Sequence, residues 1–189
     1  MQKKHIITIA GKLGSGKSST AKSLAQYFGY QHFSSGDLFR EIAAKQGEDV
    51  LQANKSAEND STIDHLVDQR LRDIGENEDN KVIDSRTAWH WIPQSFKVYL
   101  TLDTKVAAER IINSMNERKL ANERIHDDVD AYAAALDERF NSENKRYMDL
   151  YNIDPAQSSN YDLVVDTAQY SLDEVIELIK RTYTKWLES

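Results

Sequence analysis

The sequence predicts an α/β fold in which five parallel strands form one sheet flanked by helices on both faces. Short apolar, β-branched runs alternate along the chain with longer segments whose apolar residues recur three and four positions apart. The first of these runs leads directly into a glycine-rich turn that is followed by a helical pattern. The 189 residues, of which 40% are hydrophobic, suit a single globular domain spanning 1–189.

The five predicted strands cover 5–10, 31–33, 81–84, 97–102 and 162–165. Apolar residues from Ala21 to Phe28 predict a helix that starts after Gly16 and stops at Gly29, because glycine readily adopts the left-handed conformation of a helix end. Further helical patterns contain Ile63, Leu66, Val67, Leu71 and Ile74, then Val106, Ala107, Ile111, Ile112 and Met115, and then 129–151. Ser171 and Glu174 have the spacing of a capping box and begin the last helix.

Two polar stretches interrupt this alternation of strands and helices. Residues 41–62 are polar and weakly periodic, and 116–128 are densely charged. Such stretches are commonly solvated surface. In a phosphate-binding fold they are also where mobile covers lie, because a cover that excludes water from phosphates is polar and basic. The sequence leaves both interpretations open.

Composition excludes several classes of protein. The formal net charge of −7 argues against broad attraction to nucleic acid or to an anionic membrane surface. Because there is no cysteine, neither a disulfide framework nor a thiolate metal site or nucleophile is available. No apolar run approaches the ~20 residues that span a bilayer, and the N-terminus does not resemble a signal peptide. We expect a cytoplasmic monomer whose partners are small molecules.

The glycine-rich turn matches the phosphate-loop pattern G-x-x-x-x-G-K-[ST] and lies between a predicted strand and a predicted helix. Its candidate ATP-binding residues are Gly11, Lys12, Leu13, Gly14, Ser15, Gly16, Lys17, Ser18 and Ser19. Glycines let successive backbone N–H groups point at phosphate oxygens, and the start of the helix adds a positive field. Lys17 is placed to reach the β- and γ-phosphates, and the Ser18 hydroxyl to ligate Mg²⁺.

Two further stretches place cations at the same edge of the sheet. In "FSSGDLFRE", a turn over 34–36 is expected to precede a helix capped by Asp37, and Arg40 lies one turn further on. In "KVIDSRTAWHW", Asp84 ends a strand, where a carboxylate can hold Mg²⁺ or its waters, and Arg86 follows. The planar fork of arginine suits a phosphate, so both arginines are candidates for binding one.

These stretches together resemble the nucleoside monophosphate kinases, and among them the cytidylate kinase-like branch. The phosphate loop is joined by "S-[SAT]-G-[DE]-x-[FL]-R-E", matched by 34–41, and by "[DE]-[GS]-R-x-A-x-[HW]-[W]", which resembles 84–91. A helical stretch "R-x-x-S-E-x-x-R-Y" begins at Arg139, and "Y-D-L-V-[VI]-[DN]-T" begins at Tyr161. The resemblance implies a P-loop kinase fold with an NMP-binding insertion at about 35–73 and a lid at about 116–128.

The activity implied by the resemblance is transfer of the ATP γ-phosphate to CMP, or also dCMP, with Mg²⁺ as the metal. By matching position, Ser35, Asp37, Arg40 and Arg86 bind the acceptor. Asp84 holds the water shell of Mg²⁺, while Arg139 and Arg146 bridge both substrates and act with Lys17 and Asp84 in catalysis. The two bridging arginines are seven residues apart, about 10.5 Å along one helix face. Ordinary ion pairs with Glu138, Glu143 or other neighbouring carboxylates are the alternative interpretation.

Other functions remain open at this level. The acceptor could be another nucleotide, shikimate or dephospho-coenzyme A, although two phosphate-binding arginines favour a monophosphate. A protein of a different class, an ATP-dependent switch, would need a water-positioning residue that the sequence does not clearly offer. Groups that select the base are expected within 41–73. The pair Trp89 and Trp91 is interpreted as packing beneath the nucleotide site.

Overall fold

The computed structural model describes residues 3–48, 52–53, 56–57, 60–114 and 128–189. It contains the predicted sheet of five parallel strands, in the order β2-β3-β1-β4-β5. The strands are β1 (Ile6–Gly11), β2 (Gln31–Ser34), β3 (Lys81–Asp84), β4 (Phe96–Thr101) and β5 (Leu163–Asp166). The α/β fold class is therefore confirmed, and no strand end differs from the sequence prediction by more than one residue.

The helices lie between the strands and after the last one. They are α1 (Lys17–Phe28), α2 (Ser35–Lys45), α3 (Thr62–Asn77), α4 (Ala88–Trp91), α5 (Thr104–Asn113), α6 (Val129–Tyr151) and α7 (Leu172–Glu188), with a 3₁₀ turn at Ser158–Asn160. Helix α1 ends at Gly29 in the left-handed conformation, with φ 68°, and α7 begins with the Ser171–Glu174 capping box, both as predicted.

The start of α2 differs from the prediction. Ser34 is the N-cap, and its hydroxyl accepts a hydrogen bond from the Asp37 amide at 3.2 Å. Residues 34–36 therefore do not form a separate turn, and Asp37 lies in the first helical turn instead of capping it. The Ser34 hydroxyl satisfies an otherwise unpaired amide at the helix start, and the Asp37 carboxylate favours the positive end of the helix dipole.

Apolar side chains fill both faces of the sheet. On one face Ile7 and Ile9 of β1 pack with α1 and α7, and on the other Ile6 and Ile83 pack with α3 and α4. Most of the apolar residues predicted on α3 are buried here, but Leu66 is 50% exposed. Leu66 lies outside the buried face of α3. That face is formed by Ile63, Val67, Leu71 and Ile74.

The order of the strands positions the functional site. Strands β2, β3 and β1 are neighbours, with Ser34 opposite Asp84 and Asp84 opposite Ile9. The loop after β1, the start of α2 and the end of β3 therefore meet at the carboxyl edge of the sheet, where open α/β sheets bind ligands. Among the described residues, no helix has the length and apolar character to cross a bilayer.

The predicted lid falls almost wholly outside the described part of the chain, which omits 115–127. Asp128, the last residue of the predicted lid, is the N-cap of α6 and accepts hydrogen bonds from the amides of Asp130 and Ala131 at 2.9 and 3.3 Å. Helix α6 itself occupies the range that the sequence predicted.

Candidate active site

The phosphate loop is shaped by close contacts between backbones. Gly11 has φ 146°, and a Cβ atom there would lie 2.1 Å from the Leu100 carbonyl oxygen of β4. Gly14 has φ 74°, and a Cβ would lie 2.9 Å from the Ala107 Cβ on α5. Gly16, with φ 86°, forms the N-cap of α1. Only glycine fits the first two positions, both for lack of space and because side chains disfavour positive φ.

Hydrogen bonds within the loop converge on one carbonyl. The Lys12 carbonyl oxygen accepts bonds from the Ser15 hydroxyl and from the Lys17 ammonium, both at 2.8 Å. Desolvation in the cleft, together with the Arg86 guanidinium, lowers the pKa of Lys17 from 10.5 to about 8. Lys17 is therefore a cation that lacks a full countercharge and favours an incoming anion.

A pair of oxygen ligands lies at the start of α1. The Ser18 hydroxyl donates a hydrogen bond to Asp84 Oδ2 at 2.5 Å, and Asp84 is buried at the end of β3. A hydroxyl and a carboxylate suit Mg²⁺, which uses few protein ligands and takes its others from water and phosphates. Within the described ranges, no cluster of three or more His, Cys, Asp or Glu residues could hold a metal ion. The Ser18 hydroxyl and the Asp84 carboxylate are a pair of oxygen donors of the kind that can take part in holding a magnesium ion.

The start of α2 supplies the next wall of the cleft. Ser35 donates from its hydroxyl to the Asp84 carbonyl at 3.3 Å, which joins α2 to the end of β3. Arg40 lines the cleft and is half-exposed, and its guanidinium forms an ion pair with Asp37. Asp37 does not itself line the cleft; it contacts Arg40 from one helical turn earlier.

A buried carboxylate holds two of the predicted arginines. Glu143 on α6 is 3% exposed, and it contacts Arg86 Nη1 at 2.5 Å and Arg139 Nε at 3.0 Å. Burial raises the pKa of Glu143, but the charges of Arg86, Arg139 and Arg146 outweigh this effect and hold the pKa below its usual value. Glu143 therefore stays ionised and joins the loop after β3, at Arg86, to helix α6.

Arg146 lies on a different part of the cleft. Its Nε atom lies 3.1 Å from Asp64 Oδ2 on α3, and the Arg146 and Asp64 side chains are both almost wholly buried. The two predicted bridging arginines thus have different partners, Glu143 for Arg139 and Asp64 for Arg146. Both of these side chains line the same cleft.

A second carboxylate on α3 organises the aromatic residues. Asp68 accepts hydrogen bonds from Trp91 Nε1 at 2.8 Å, from the Thr87 hydroxyl at 3.4 Å and from the Tyr151 hydroxyl. Trp89 is buried and donates from Nε1 to the Arg86 carbonyl at 2.8 Å. Both tryptophans are therefore held in place by hydrogen bonds and packing beside the cleft, in agreement with the packing interpretation.

The structure brings most of the predicted residues to one cleft. Its lining includes Leu13, Lys17, Ser18, Ser35, Arg40, Asp84, Arg86, Arg139 and Arg146. The remaining predicted loop residues, Gly11, Lys12, Gly14, Ser15, Gly16 and Ser19, form the turn and the first residues of α1 around it.

The residues of the cleft lining that sequence reasoning missed include Asp64, Asp68 and Tyr147, and it weighed Glu143 only as an ion-pair partner. A usable signal was present on α3. Asp64 and Asp68 fall beside Ile63, Val67 and Leu71 on the predicted apolar face. A carboxylate on a buried helix face needs a partner, so such a position marks a network or a ligand site.

Comparisons with known proteins agree with this geometry. The model of the cytidylate kinase-like family matches residues 6–169. A cytidylate kinase of Natronomonas pharaonis is 39% identical over 178 residues, covering 93% of this chain and 87% of that protein. One of Haloarcula marismortui is 38% identical over 176 residues, covering 92% and 86%. The crystal structure of shikimate kinase from Bacteroides thetaiotaomicron matches with a TM-score of 0.64 at 13% identity, covering 97% of this chain and 98% of that one.

Proposed function

The chain belongs to the cytidylate kinase-like family, and from that premise we propose that it transfers the γ-phosphate of ATP to CMP, and also to dCMP, releasing ADP and the diphosphate. One observation carries the proposal. A phosphate loop, an oxygen pair suited to magnesium and four arginines line a single cleft. Such a set of side chains is suited to binding two phosphate groups and a metal cation.

On the donor side, the loop from Gly11 to Ser19 binds the ATP phosphates through its backbone amides. A phosphate oxygen displaces the Lys12 carbonyl as the partner of the Lys17 ammonium, because an anion in a desolvated cleft attracts the cation more strongly than a neutral carbonyl. Lys17 then stabilises the negative charge of the transferring group.

Ser18 and Asp84 are the residues that would hold magnesium. A bound magnesium ion neutralises negative charge on the nucleotide phosphates. Ser18 offers its hydroxyl oxygen, and Asp84 its carboxylate to the ion or to the ion's water shell. Ser35 fixes the main chain at Asp84, since its hydroxyl donates to the Asp84 carbonyl.

On the acceptor side, Arg40 and Arg86 bind the monophosphate. Arg86 reaches the cleft from the loop after β3 and Arg40 from α2, and both side chains line it. At the start of α2, Asp37 pairs with Arg40, and Ser35 joins the helix to Asp84. No catalytic base is required, because a monophosphate oxygen is already an anion at neutral pH, and catalysis rests on positioning and charge neutralisation.

Helix α6 contributes Arg139 and Arg146, which bridge the donor and acceptor sides of the cleft. Arg139, held by Glu143 beside Arg86, neutralises charge between the donor and the acceptor phosphates, and Arg146 closes the acceptor side. The segment 116–128 is proposed to close over both nucleotides, and 35–73 to form the acceptor-binding insertion. We further propose a cytoplasmic monomer whose partners are small-molecule nucleotides.

An acceptor panel tests this function. ADP release is measured in a coupled assay with CMP, dCMP, UMP, AMP, GMP, shikimate or dephospho-coenzyme A, and with no acceptor. We expect ADP release that depends on added monophosphate and is fastest with CMP. Steady ATP loss without any acceptor would instead indicate a switch protein, and preference for shikimate or dephospho-coenzyme A would indicate another kinase.

A further inference from the structure

Two buried carboxylates on α3 line the acceptor side of the cleft, four residues apart. Asp64 is 5% exposed and Asp68 is 4% exposed. Because residues four apart lie one helical turn apart on the same face, both carboxylates point toward the same part of the cleft. Val67 lies on this face between them and, with Phe39 of α2, supplies an apolar wall of the cleft.

The two carboxylates differ in what they already bind. Asp68 accepts three hydrogen bonds, from Trp91, Thr87 and Tyr151, so most of its acceptor capacity is used by the protein. Asp64 Oδ2 accepts no hydrogen bond from any residue that the structure describes. Its close neighbour is Arg146, whose Nε lies 3.1 Å away but whose Nε and Nη1 likewise make no hydrogen bond within the described ranges.

The charge of Arg146 offsets part of the cost of burying Asp64, but Asp64 Oδ2 still accepts no hydrogen bond from the described residues, so this position is suited to a ligand that brings a donor. The apolar wall beside it suits the face of a planar ring, and a ring placed there presents its edge to Asp64. The exocyclic amino group of cytosine is a donor at such an edge, whereas uracil has a carbonyl oxygen, an acceptor, at the same atom.

We propose that Asp64 is a specificity-determining residue that accepts a hydrogen bond from the 4-amino group of cytosine and thereby rejects uracil. The proposal rests on the proposed function and names a residue that selects the acceptor base. Uracil O4 would face an ionised carboxylate with no proton between the two oxygens, so binding of UMP leaves two buried acceptors in contact. Asp68 is the positioning residue, since it holds Trp91, Thr87 and Tyr151 around this part of the cleft.

The central experiment replaces the carboxylate by an amide of the same shape. In Asp64→Asn the amide NH₂ group offers a donor to uracil O4, so the loss of activity with CMP is accompanied by a gain with UMP. We expect the ratio of kcat/KM for CMP to that for UMP to fall about tenfold to a hundredfold. Loss of the ion pair with Arg146 affects both substrates alike and cancels from this ratio.

Two matched variants on α3 serve as controls. Asp68→Asn alters the second buried carboxylate, and it is expected to lower kcat/KM for CMP and UMP in equal proportion. Asp73→Asn removes a carboxylate that lies outside the cleft and accepts a hydrogen bond from Gln69 Nε2 at 2.9 Å, and this variant is expected to change neither value. If Asp68→Asn shifts the ratio and Asp64→Asn does not, the proposal is overturned.

A measurement on the unaltered protein gives an independent test. Burial raises the pKa of Asp64 to about 6, with Asp68 and Glu143 acting in the same direction and Arg146 and His65 opposing it. Below pH 6 the protonated carboxyl can donate to uracil O4, so the preference for CMP over UMP is expected to weaken from pH 7 to pH 5. Ionisation of the substrate phosphate is common to CMP and UMP and cancels from the ratio.

The outcomes separate this inference from the function on which it rests. If the unaltered protein phosphorylates no monophosphate, the proposed function fails and the inference fails with it. If it phosphorylates CMP, but the CMP to UMP ratio is unchanged both in Asp64→Asn and between pH 7 and pH 5, only the inference fails. A fall in activity with CMP but not with dCMP would assign Asp64 to the ribose 2′-hydroxyl and would also overturn it.

Discussion

The proposed donor and acceptor halves of the cleft are built in different ways. The donor half is a run of consecutive residues from Gly11 to Ser19, whose shape depends on positive-φ backbone conformations that favour glycine. The acceptor half is assembled from separate elements, with Arg40 on α2, Asp64 on α3, Arg86 after β3 and Glu143 on α6. Donor binding is therefore sensitive to chain geometry, whereas acceptor binding is sensitive to the balance of buried charge.

Charge neutralisation also differs between the halves. Lys17 on the donor side contacts a neutral carbonyl, whereas Arg86, Arg139 and Arg146 on the acceptor side contact carboxylates. Buried ion pairs contribute little net stability but are costly to break from one side, since the remaining charge is left without a partner. Acceptor-side substitutions are therefore expected to affect folding as well as binding.

The largest expected effect follows from removing the donor-side catalytic groups. Lys17→Ala and Asp84→Ala are each expected to lower kcat with CMP about 100-fold to 1000-fold, the usual cost of losing one group that stabilises transition-state charge. Both variants are expected to unfold cooperatively on heating, because neither side chain belongs to the apolar core. Lys22→Ala, an exposed lysine on the same helix, is the control. Near-normal kcat in either variant would remove that residue from the mechanism.

Two glycine substitutions test how strongly each half of the cleft depends on backbone geometry, through their effects on the free energy of unfolding. Gly11→Ala is expected to lower the free energy of unfolding by about 2–5 kcal/mol, because its Cβ would lie 2.1 Å from the Leu100 carbonyl at positive φ. Gly36→Ala on α2 is expected to change it by less than about 1 kcal/mol, since the nearest atom is Arg40 Nη1 at 3.5 Å. Denaturant unfolding measures both. Equal losses would contradict the difference between the halves.

Acceptor binding is expected to depend on arginines more than on backbone shape. Arg86→Ala and Arg40→Ala are each expected to raise the KM for CMP about tenfold to a hundredfold while changing the KM for ATP little. Arg86→Ala has the larger effect, because it also leaves the buried Glu143 with one fewer partner. Arg70→Ala, on α3 but outside the cleft, is the control. A matching loss in ATP affinity with CMP unaffected would reverse the assignment.

The smallest expected effect is a dependence of ATP affinity on pH. With a pKa of about 8 in the free protein, Lys17 loses its charge above that pH, so ATP affinity is expected to fall about tenfold between pH 7 and pH 9. In Lys17→Arg the cation persists, and the fall should disappear. Titration of ATP binding by calorimetry at each pH measures it. A fall of the same size in Lys17→Arg would assign the dependence to another group.

Local patterns predicted the parts of this protein that lie close together in the chain. The phosphate loop, the strand positions, the range of α6 and the Ser171–Glu174 capping box follow from glycine conformations, hydrophobic periods and cap chemistry within a few residues. The start of α2 was predicted wrongly because both Ser34 and Asp37 are good caps, and the choice between them depends on where β2 ends.

The sequence by itself determined that this chain has a phosphate loop between a strand and a helix, with arginines after the next strands. Only the tertiary structure decided how those charges are paired, placing Glu143 between Arg86 and Arg139 and leaving Asp64 beside Arg146 without a hydrogen bond from the described residues. The physical reason is distance along the chain. Backbone conformation depends on near neighbours, whereas the desolvation and pairing of a buried charge depend on elements that meet only when the sheet and its helices pack together.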